Sequence, residues 1–468
     1  MALMDPTDLP FVIMEARERP MHVGGLQLFS TPEGADWDYV RGIYESALAD
    51  PAELHPLLSR RPGKKPVVGR LQWEVDHKID LGYHVRHSGL ARPGRIRELL
   101  EVVGRLHGTL LDRNRPLWEA HLIEGLDDGR FAVYTKIHHA LVDGVSAMRM
   151  LSDALSTDPD ERDMPPPWAA RTRVRQTKSE PTPTGGSGGG NPLELAAAGL
   201  LNAASSIGRL GFDLAATAGR FTDTIRDGLD HHASVLPYQA PESMLNVPIT
   251  GARRFAADSW DLERVRAAGR RLGGTLNDAV LAMCGGALRR YLLTQEALPD
   301  APLIAMVPVS LRKADQTAGG NAVGVILANL GTHTDSGAER FELVKASMDA
   351  GKARFEGLSQ GQIMALSAIS FVPMATGPLF RFDSFRRPPY NITISNVPGP
   401  AETRYWNGAR MDGSYPVSIP MDGQALNITL SSYDGSLDFG LIGDRNAVPH
   451  LQNLLDHLEE SLVELEEA

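Results

Sequence analysis

Residues 131–155 read FAVYTKIHHALVDGVSAMRMLSDAL, and two periodicities meet in them. Phe131, Val133, Thr135 and Ile137 alternate onto one face, as side chains do along a strand. Residues 146–155 space their apolar side chains as a helix does. Between the two lies His138-His139-Ala140-Leu141-Val142-Asp143-Gly144, so the paired histidines occupy a strand-to-helix connection. Upstream, residues 95–111 (RIRELLEVVGRLHGTLL) also carry helical spacing. Helix, strand and helix in this order predict a mixed α/β (α+β) domain over residues 1–155.

The connection is chemically loaded. An imidazole has a reference pKa of about 6.5, so its neutral form is available near neutral pH. A neutral ring can take a proton from a hydroxyl as the oxygen attacks a carbonyl, and can return it to a leaving group. Asp143 can orient a histidine or tie the loop to an arginine elsewhere, and Gly144 allows a backbone angle closed to other residues. The residues alone leave a satisfied polar cluster equally open. His231-His232 is a second pair without such surroundings, read as solvated. A metal site is not expected, because adjacent side chains diverge and no partner stands at ligand spacing.

Further out, the 468 residues suit two domains of about 150–200 residues each plus connectors. Residues 156–192 include MPPPW and KSEPTPTGGSGGGNP, the composition of a flexible linker. Residues 193–230 repeat apolar side chains at steps of three and four, as a helix or helix pair, packed across the domains or lying on a lipid surface. These two stretches make a connector over 156–245, and a second domain spans 246–468. Within it, helices are expected at 259–271, 275–293 and 449–466. Strands are expected at 303–309, 323–329, 391–395, 426–432 and 437–442.

Composition excludes several classes. One cysteine, Cys284, removes any intramolecular disulfide, Cys-based zinc site or dithiol redox pair. A net charge of −11 speaks against bulk nucleic-acid binding. The opening MALMDPTDLPFVIMEARERP lacks the basic-then-apolar layout of a secretory signal, and no apolar run reaches transmembrane length.

The motif has the HHxxxDG form of the chloramphenicol acetyltransferase-like superfamily. Other segments, in chain order, resemble bacterial wax ester synthase/diacylglycerol acyltransferases. They are Met4-Asp5-Pro6-Thr7-Asp8, Pro20-Met21-His22-Val23-Gly24 and Pro116-Leu117-Trp118, then Leu276-Asn277-Asp278, Pro308-Val309-Ser310-Leu311-Arg312 and Ser395-Asn396-Val397-Pro398-Gly399-Pro400. Leu437-Asp438-Phe439-Gly440 resembles a stretch that packs between domains in the wider superfamily. The resemblance implies two chloramphenicol acetyltransferase-like domains with a substrate tunnel between them. It implies acyl-CoA as donor, diacylglycerol or a long-chain alcohol as acceptor, and no metal or prosthetic group. It assigns the base to His139, with His138 supporting, Gly144 shaping the loop, and Asp143 as a structural anchor for which Arg312 is the candidate partner.

Asn277 is a candidate for polarising the reacting carbonyl or orienting the acceptor, against the alternative that it or Thr275 caps the following helix. Ser395 and Asn396 are candidates facing the substrate, with Pro398-Gly399-Pro400 a rigid turn or a piece of tunnel wall. Trp118 stands as substrate contact or core. The products implied are insoluble, so a cytoplasmic protein visiting the membrane face or lipid inclusions peripherally is expected. Two other functions stay open: a related acyltransferase acting on a glycolipid, sugar or other alcohol, and a lipid-surface binding protein without activity.

Overall fold

A computed structural model describes residues 2–4, 8–36, 38–48, 54–63, 71–142, 144–169, 235, 237–310, 323–356, 358, 362–363 and 387–468. The expected connector helix at 193–230, most of the linker and His231-His232 lie outside the described residues.

Strands β1 (Ala2–Leu3), β3 (Arg60–Pro62) and β4 (Gln72–Val75) make a small sheet beside the first large one. The first large sheet contains β2 (His22–Ser30), β5 (Val85–Gly89), β6 (Trp118–Glu124) and β7 (Phe131–His138). The second contains β8 (Arg253–Asp261), β9 (Ile304–Ser310), β10 (Val323–Asn329) and β11 (Ile392–Val397). The chain then returns to the first sheet with β12 (Tyr405–Trp406) and β13 (Ala409–Val417), and closes the second with β14 (Leu426–Tyr433) and β15 (Ser436–Asp444). The orders are β12-β13-β2-β7-β6-β5 and β10-β9-β11-β14-β15-β8. The sheets therefore do not follow the division of the chain at 155 and 246, because β12 and β13 come from the second part and pair within the first sheet. Strand β7, which delivers the paired histidines, is central, antiparallel to β2 on one side and β6 on the other.

Helix Ile96–His107 starts with a capping box in which Glu98 reaches back to the Arg95 backbone. It buries Leu99, Val103 and His107 under the first sheet. A Cβ at Gly104 would stand 3.1 Å from the Arg253 carbonyl oxygen, so a glycine there lets β8 lie against this helix. On the other face of β7, Phe131, Val133 and Ile137 pack with Ala147 and Leu155 in one apolar cluster. Helix Leu276–Thr294 shares one apolar cluster with the second sheet; it is apolar nearly all round and buried from Asp278 to Leu288.

Expected strands at 303–309, 323–329, 391–395, 426–432 and 437–442 coincide with β9, β10, β11, β14 and β15 within a few residues. The expected helix at 259–271 is a correction. Residues 259–261 finish β8 and the helix runs Leu262–Arg271, with the Asp261 carboxylate accepting from the Arg264 N–H as its cap.

Candidate active site

The double-histidine turn is held by its main chain from both sides. The His138 N–H donates to Leu117 O at 2.9 Å and the His139 N–H to Met21 O at 2.8 Å. Two of the sequence segments, Pro116-Leu117-Trp118 and Pro20-Met21-His22, are therefore the flanking rails of the turn.

The two rings have different lots. His138 is fully buried. Its Nδ1 accepts from the Ala140 N–H at 3.1 Å, and its Nε2 lies 3.4 Å from Glu15 Oε1, at ion-pair distance without hydrogen-bond alignment. Accepting at Nδ1 places the proton of the neutral ring on Nε2, facing the carboxylate. Glu15 is pinned in turn by Arg113, whose Nε donates at 2.8 Å while Nη2 donates to Val12 O at 2.7 Å. Burial raises the Glu15 pKa, but His138 and Arg113 together hold it below the usual carboxylate value. His139 is half-buried and stacks on Phe11, with centroids 4.0 Å apart and planes at 14°. Glu15, Arg113 and Phe11 are the supporting residues that periodicity and motif did not single out.

Beneath the turn lies a buried polar layer. The Lys136 ammonium, fully enclosed, donates to Leu106 O at 3.0 Å and Thr109 O at 2.9 Å and lies 3.3 Å from Glu119 Oε2. It thus meets the carbonyl end of helix Ile96–His107, where a cation complements the helix dipole. Burial raises the Glu119 pKa, but His121, Lys136 and Arg86 outweigh it and bring it down to about 2. His22, cross-strand partner of His138, donates from Nε2 to His107 O at 2.7 Å. His107 bonds Tyr134 Oη and Ser418 O, both at 2.8 Å. Burial pushes its pKa to about 3, so its ring is neutral.

The other candidates are placed as follows. Asp143 and Arg312 lie outside the described residues. Gly144 opens helix Gly144–Asp153 in helical conformation, and a Cβ there would meet nothing within 4 Å. The special backbone angle expected of it is thus not what the structure takes. Trp118 is core: 2 % exposed, stacked on His84, with its indole N–H donating to Leu58 O at 2.8 Å. The helix cap near Asn277 is Thr275, whose hydroxyl and N–H engage Asp278, leaving Asn277 half-buried in the first turn without a hydrogen bond of its own. Ser395 and Asn396 are half-buried on β11, opposite Thr429 and Leu430 of β14. Just beyond them, the Pro398-Gly399-Pro400 turn lines a cavity of about 290 Å³ whose other wall is Met148, Ser152 and Asp153 of the helix that follows the histidines. The second-half motif thereby faces the helix that follows the first-half one.

Asp438 is buried on β15 and clamps the two sheets. Its carboxylate accepts from the Ser414 N–H of β13 at 2.6 Å and from the Ser259 hydroxyl of β8 at 2.7 Å. Cys284 is buried in the second core, and burial pushes its thiol up to about 12, too high to supply a thiolate nucleophile. Among the described residues no group of three or more His, Cys, Asp or Glu side chains could hold a metal ion, and no helix is long and apolar enough to cross a membrane.

Two large mixed sheets, the first completed by strands β12 and β13 from the second part of the chain, with HHxxxDG at the end of a central strand, define a chloramphenicol acetyltransferase-like protein. The first condensation domain of the calcium-dependent antibiotic synthetase shares this fold, with a TM-score of 0.56 at 16% identity over 100% of this chain and 95% of that one. Two family models match: the wax ester synthase/diacylglycerol acyltransferase catalytic domain over residues 4–280 and the WS/DGAT C-terminal domain over residues 319–466. The chain belongs to the wax ester synthase/diacylglycerol acyltransferase family and is an acyltransferase. It is 49% identical to a probable diacylglycerol O-acyltransferase of Mycobacterium tuberculosis, covering 100% of this chain and 99% of the relative. It is 41% identical to the O-acyltransferase WSD of Acinetobacter baylyi, with 98% and 96% covered. The solved wax ester synthase/diacylglycerol acyltransferase from Marinobacter aquaeolei is 42% identical, with a TM-score of 0.78 over 100% of this chain and 99% of that one.

Proposed function

We propose that the protein transfers a long-chain acyl group from acyl-CoA to diacylglycerol or a long-chain alcohol, with His139 as general base in a ternary complex. The hydroxyl loses its proton to the His139 ring as its oxygen attacks the thioester carbonyl. The tetrahedral intermediate then collapses, the carbon–sulfur bond breaks, and the CoA thiolate takes the proton back from His139. No covalent enzyme intermediate and no bound cofactor enter the scheme. The observation that carries the assignment is the difference in burial within the pair: the His138 ring is fully enclosed, whereas His139 is only half-buried, stacked on Phe11. His138, Glu15 and Arg113 position the turn, and Asp143, partnered by Arg312, anchors its far end. Ser395, Asn396 and Asn277 are proposed to meet substrate. The protein works in the cytoplasm, meeting the membrane face or lipid inclusions peripherally.

Purified protein supplied with palmitoyl-CoA and, separately, a diacylglycerol, hexadecanol and trehalose tests this. Ester formation with either of the first two, lost in folded His139→Ala, is the expected result. Transfer to trehalose alone would move the acceptor to sugars, and CoA release unchanged in His139→Ala would remove the base.

A further inference from the structure

We propose that Phe11 is a positioning residue for the base, a role that rests on the general-base chemistry given above: its ring fixes the plane of the His139 imidazole and steadies the positive charge which that imidazole carries after taking the acceptor's proton. In that scheme His139 holds the proton from the attack of the alcohol oxygen until the CoA thiolate leaves with it.

Phe11 lies on helix Leu9–Met14, which has Asp8 as its N-cap and a proline in its first turn. The Phe11 N–H donates to Asp8 O at 3.2 Å. Its side chain is half-buried and packs on a satellite apolar cluster that includes Val12, Trp73, Leu117 and Ala140. Two of these belong to the catalytic turn or its rails. Ala140 follows His139 directly, and Leu117 O accepts from the His138 N–H. The phenyl ring and the imidazole are therefore seated on one shared base.

Their centroids are 4.0 Å apart and their planes meet at 14°. That is closer than the separation of about 4.5–7 Å usual for aromatic pairs, and it leaves little offset between the rings. For two neutral rings such overlap sets one negative face against another, which is the less favoured arrangement. An imidazolium reverses the sign, because a cation over a phenyl face is attracted to it. The stack thus suits His139 better after proton transfer than before. The lone pair that takes the proton lies in the plane of the imidazole, so a ring covered on its face still presents it, and fixing the plane fixes its direction. A second stacked imidazole, His84 on Trp118 at 4.8 Å and 12°, lacks this use: it is 1 % exposed, and its Nδ1 is spent on Trp118 O.

Thiol release from palmitoyl-CoA by the full-length protein, with hexadecanol or a diacylglycerol as acceptor and measured across pH, tests the role. Phe11→Leu keeps an apolar side chain and removes the aromatic face. Its kcat should fall about three- to tenfold while the KM for palmitoyl-CoA holds. The acid limb of its rate–pH profile should move down by about half a unit to one unit, because the base is protonated less readily without the stack. Phe11→Tyr keeps the face and should keep both rate and profile. A ring-fluorinated phenylalanine at position 11 retains the shape but not the negative face, and gives the same displacement should Phe11→Leu fail to fold. Asp8, Glu15, His22, Arg113, His138 and Asp143, the titratable groups on the segments packed around the turn, are common to all these proteins, so the displacement reports the stack. An acid limb that stays in place in both the leucine and the fluorinated protein, whether or not the rate falls, would overturn the proposal. So would a loss confined to KM, which would make Phe11 a wall of the substrate channel. If His139→Ala keeps wild-type turnover, the base itself fails and Phe11 loses its role with it; turnover that needs His139 but ignores Phe11→Leu is the failure of the Phe11 role alone.

Discussion

Replacing each histidine of the pair by alanine should give opposite phenotypes. His138→Ala removes a fully buried ring, orphans the Ala140 N–H and leaves Glu15 with Arg113 as its remaining charged partner. An unpaired buried donor costs about 1–3 kcal/mol. Emptying a buried side chain costs about 2–5 kcal/mol for a residue of leucine size, with a small polar ring at the lower end. The sum is about 3–5 kcal/mol, a large part of the roughly 5–15 kcal/mol that stabilises an ordinary domain. His139→Ala removes a half-buried ring, and its stack on Phe11 is worth about 0.5–1.5 kcal/mol. Catalysis should sort the other way. Removal of a general base lowers turnover about 10²–10⁴-fold. His138→Ala, assayed where it is still folded, keeps both main-chain bonds of the turn and so a substantial fraction of its rate. His138→Asn, whose side-chain oxygen can accept from the Ala140 N–H, should recover about half the lost stability. Urea unfolding followed by tryptophan fluorescence, together with thiol release from palmitoyl-CoA in the presence of hexadecanol, gives both axes. The reasoning is refuted if His139→Ala retains rates within tenfold of wild type. It is equally refuted if His138→Ala is inactive yet as stable as the parent.

Gly440→Ala should destabilise by about 3 kcal/mol or more, because its Cβ would lie 1.8 Å from the Pro416 carbonyl oxygen; a urea midpoint shift of less than a third of this would contradict it. Asp438→Asn should change how stability depends on pH. Burial raises the Asp438 pKa from 3.8 to about 6, so the stability its carboxyl contributes is complete below pH 3.8 and lost as pH rises through 6. Between those limits the parent should lose about 3 kcal/mol relative to the variant, measured as paired urea midpoints across the range. Lys136→Met should cost about 3 kcal/mol, since it takes one cationic partner from buried Glu119, which keeps Arg86 and His121, and unpairs the Leu106 and Thr109 carbonyls. Adding Glu119→Gln should return part of that loss in a double-mutant cycle.

What the sequence shows of this fold follows from how cleanly each element faces one environment. Helix Ile96–His107 divides apolar from polar side chains, and its period stands out; strand β7 is buried on both faces, yet Phe131, Val133 and Ile137 still alternate with Ala132, Tyr134 and Lys136. Strand β2, HVGGLQLFS, is buried along most of its length, and two glycines erase its alternation. Strand β6, WEAHLIE, buries Glu119 and His121, whose polarity is satisfied only in three dimensions by Lys136, Arg86 and each other. Strand β13 contains Asp412, Gly413 and Pro416, with a register shift between Met411 and Gly413, and carries loop composition inside a sheet. At the site, the histidines and their two backbone rails are visible as motifs because each is a contiguous run of residue types. Glu15 is not: it sits in an EARER run that reads as solvated charge, and its partners Arg113 and His138 come from remote parts of the chain.

The position of β13 explains why the matched segments extend through both halves of the chain. It pairs with β2 as far as Val417 opposite Gly24, close to Met21, whose carbonyl holds the His139 N–H. One residue on, Ser418 O accepts from His107, the ring packed edge-on against His22. From its other side β13 is bound to the second sheet through the Ser414 N–H on Asp438 and the close passage of Pro416 over Gly440. The turn that carries His139 therefore rests on a strand whose geometry the second half of the chain sets. Substitutions at Asp438 or Gly440 should accordingly reach turnover as well as stability. By the same geometry, a first half expressed alone would have β2 as a free edge where β13 belongs.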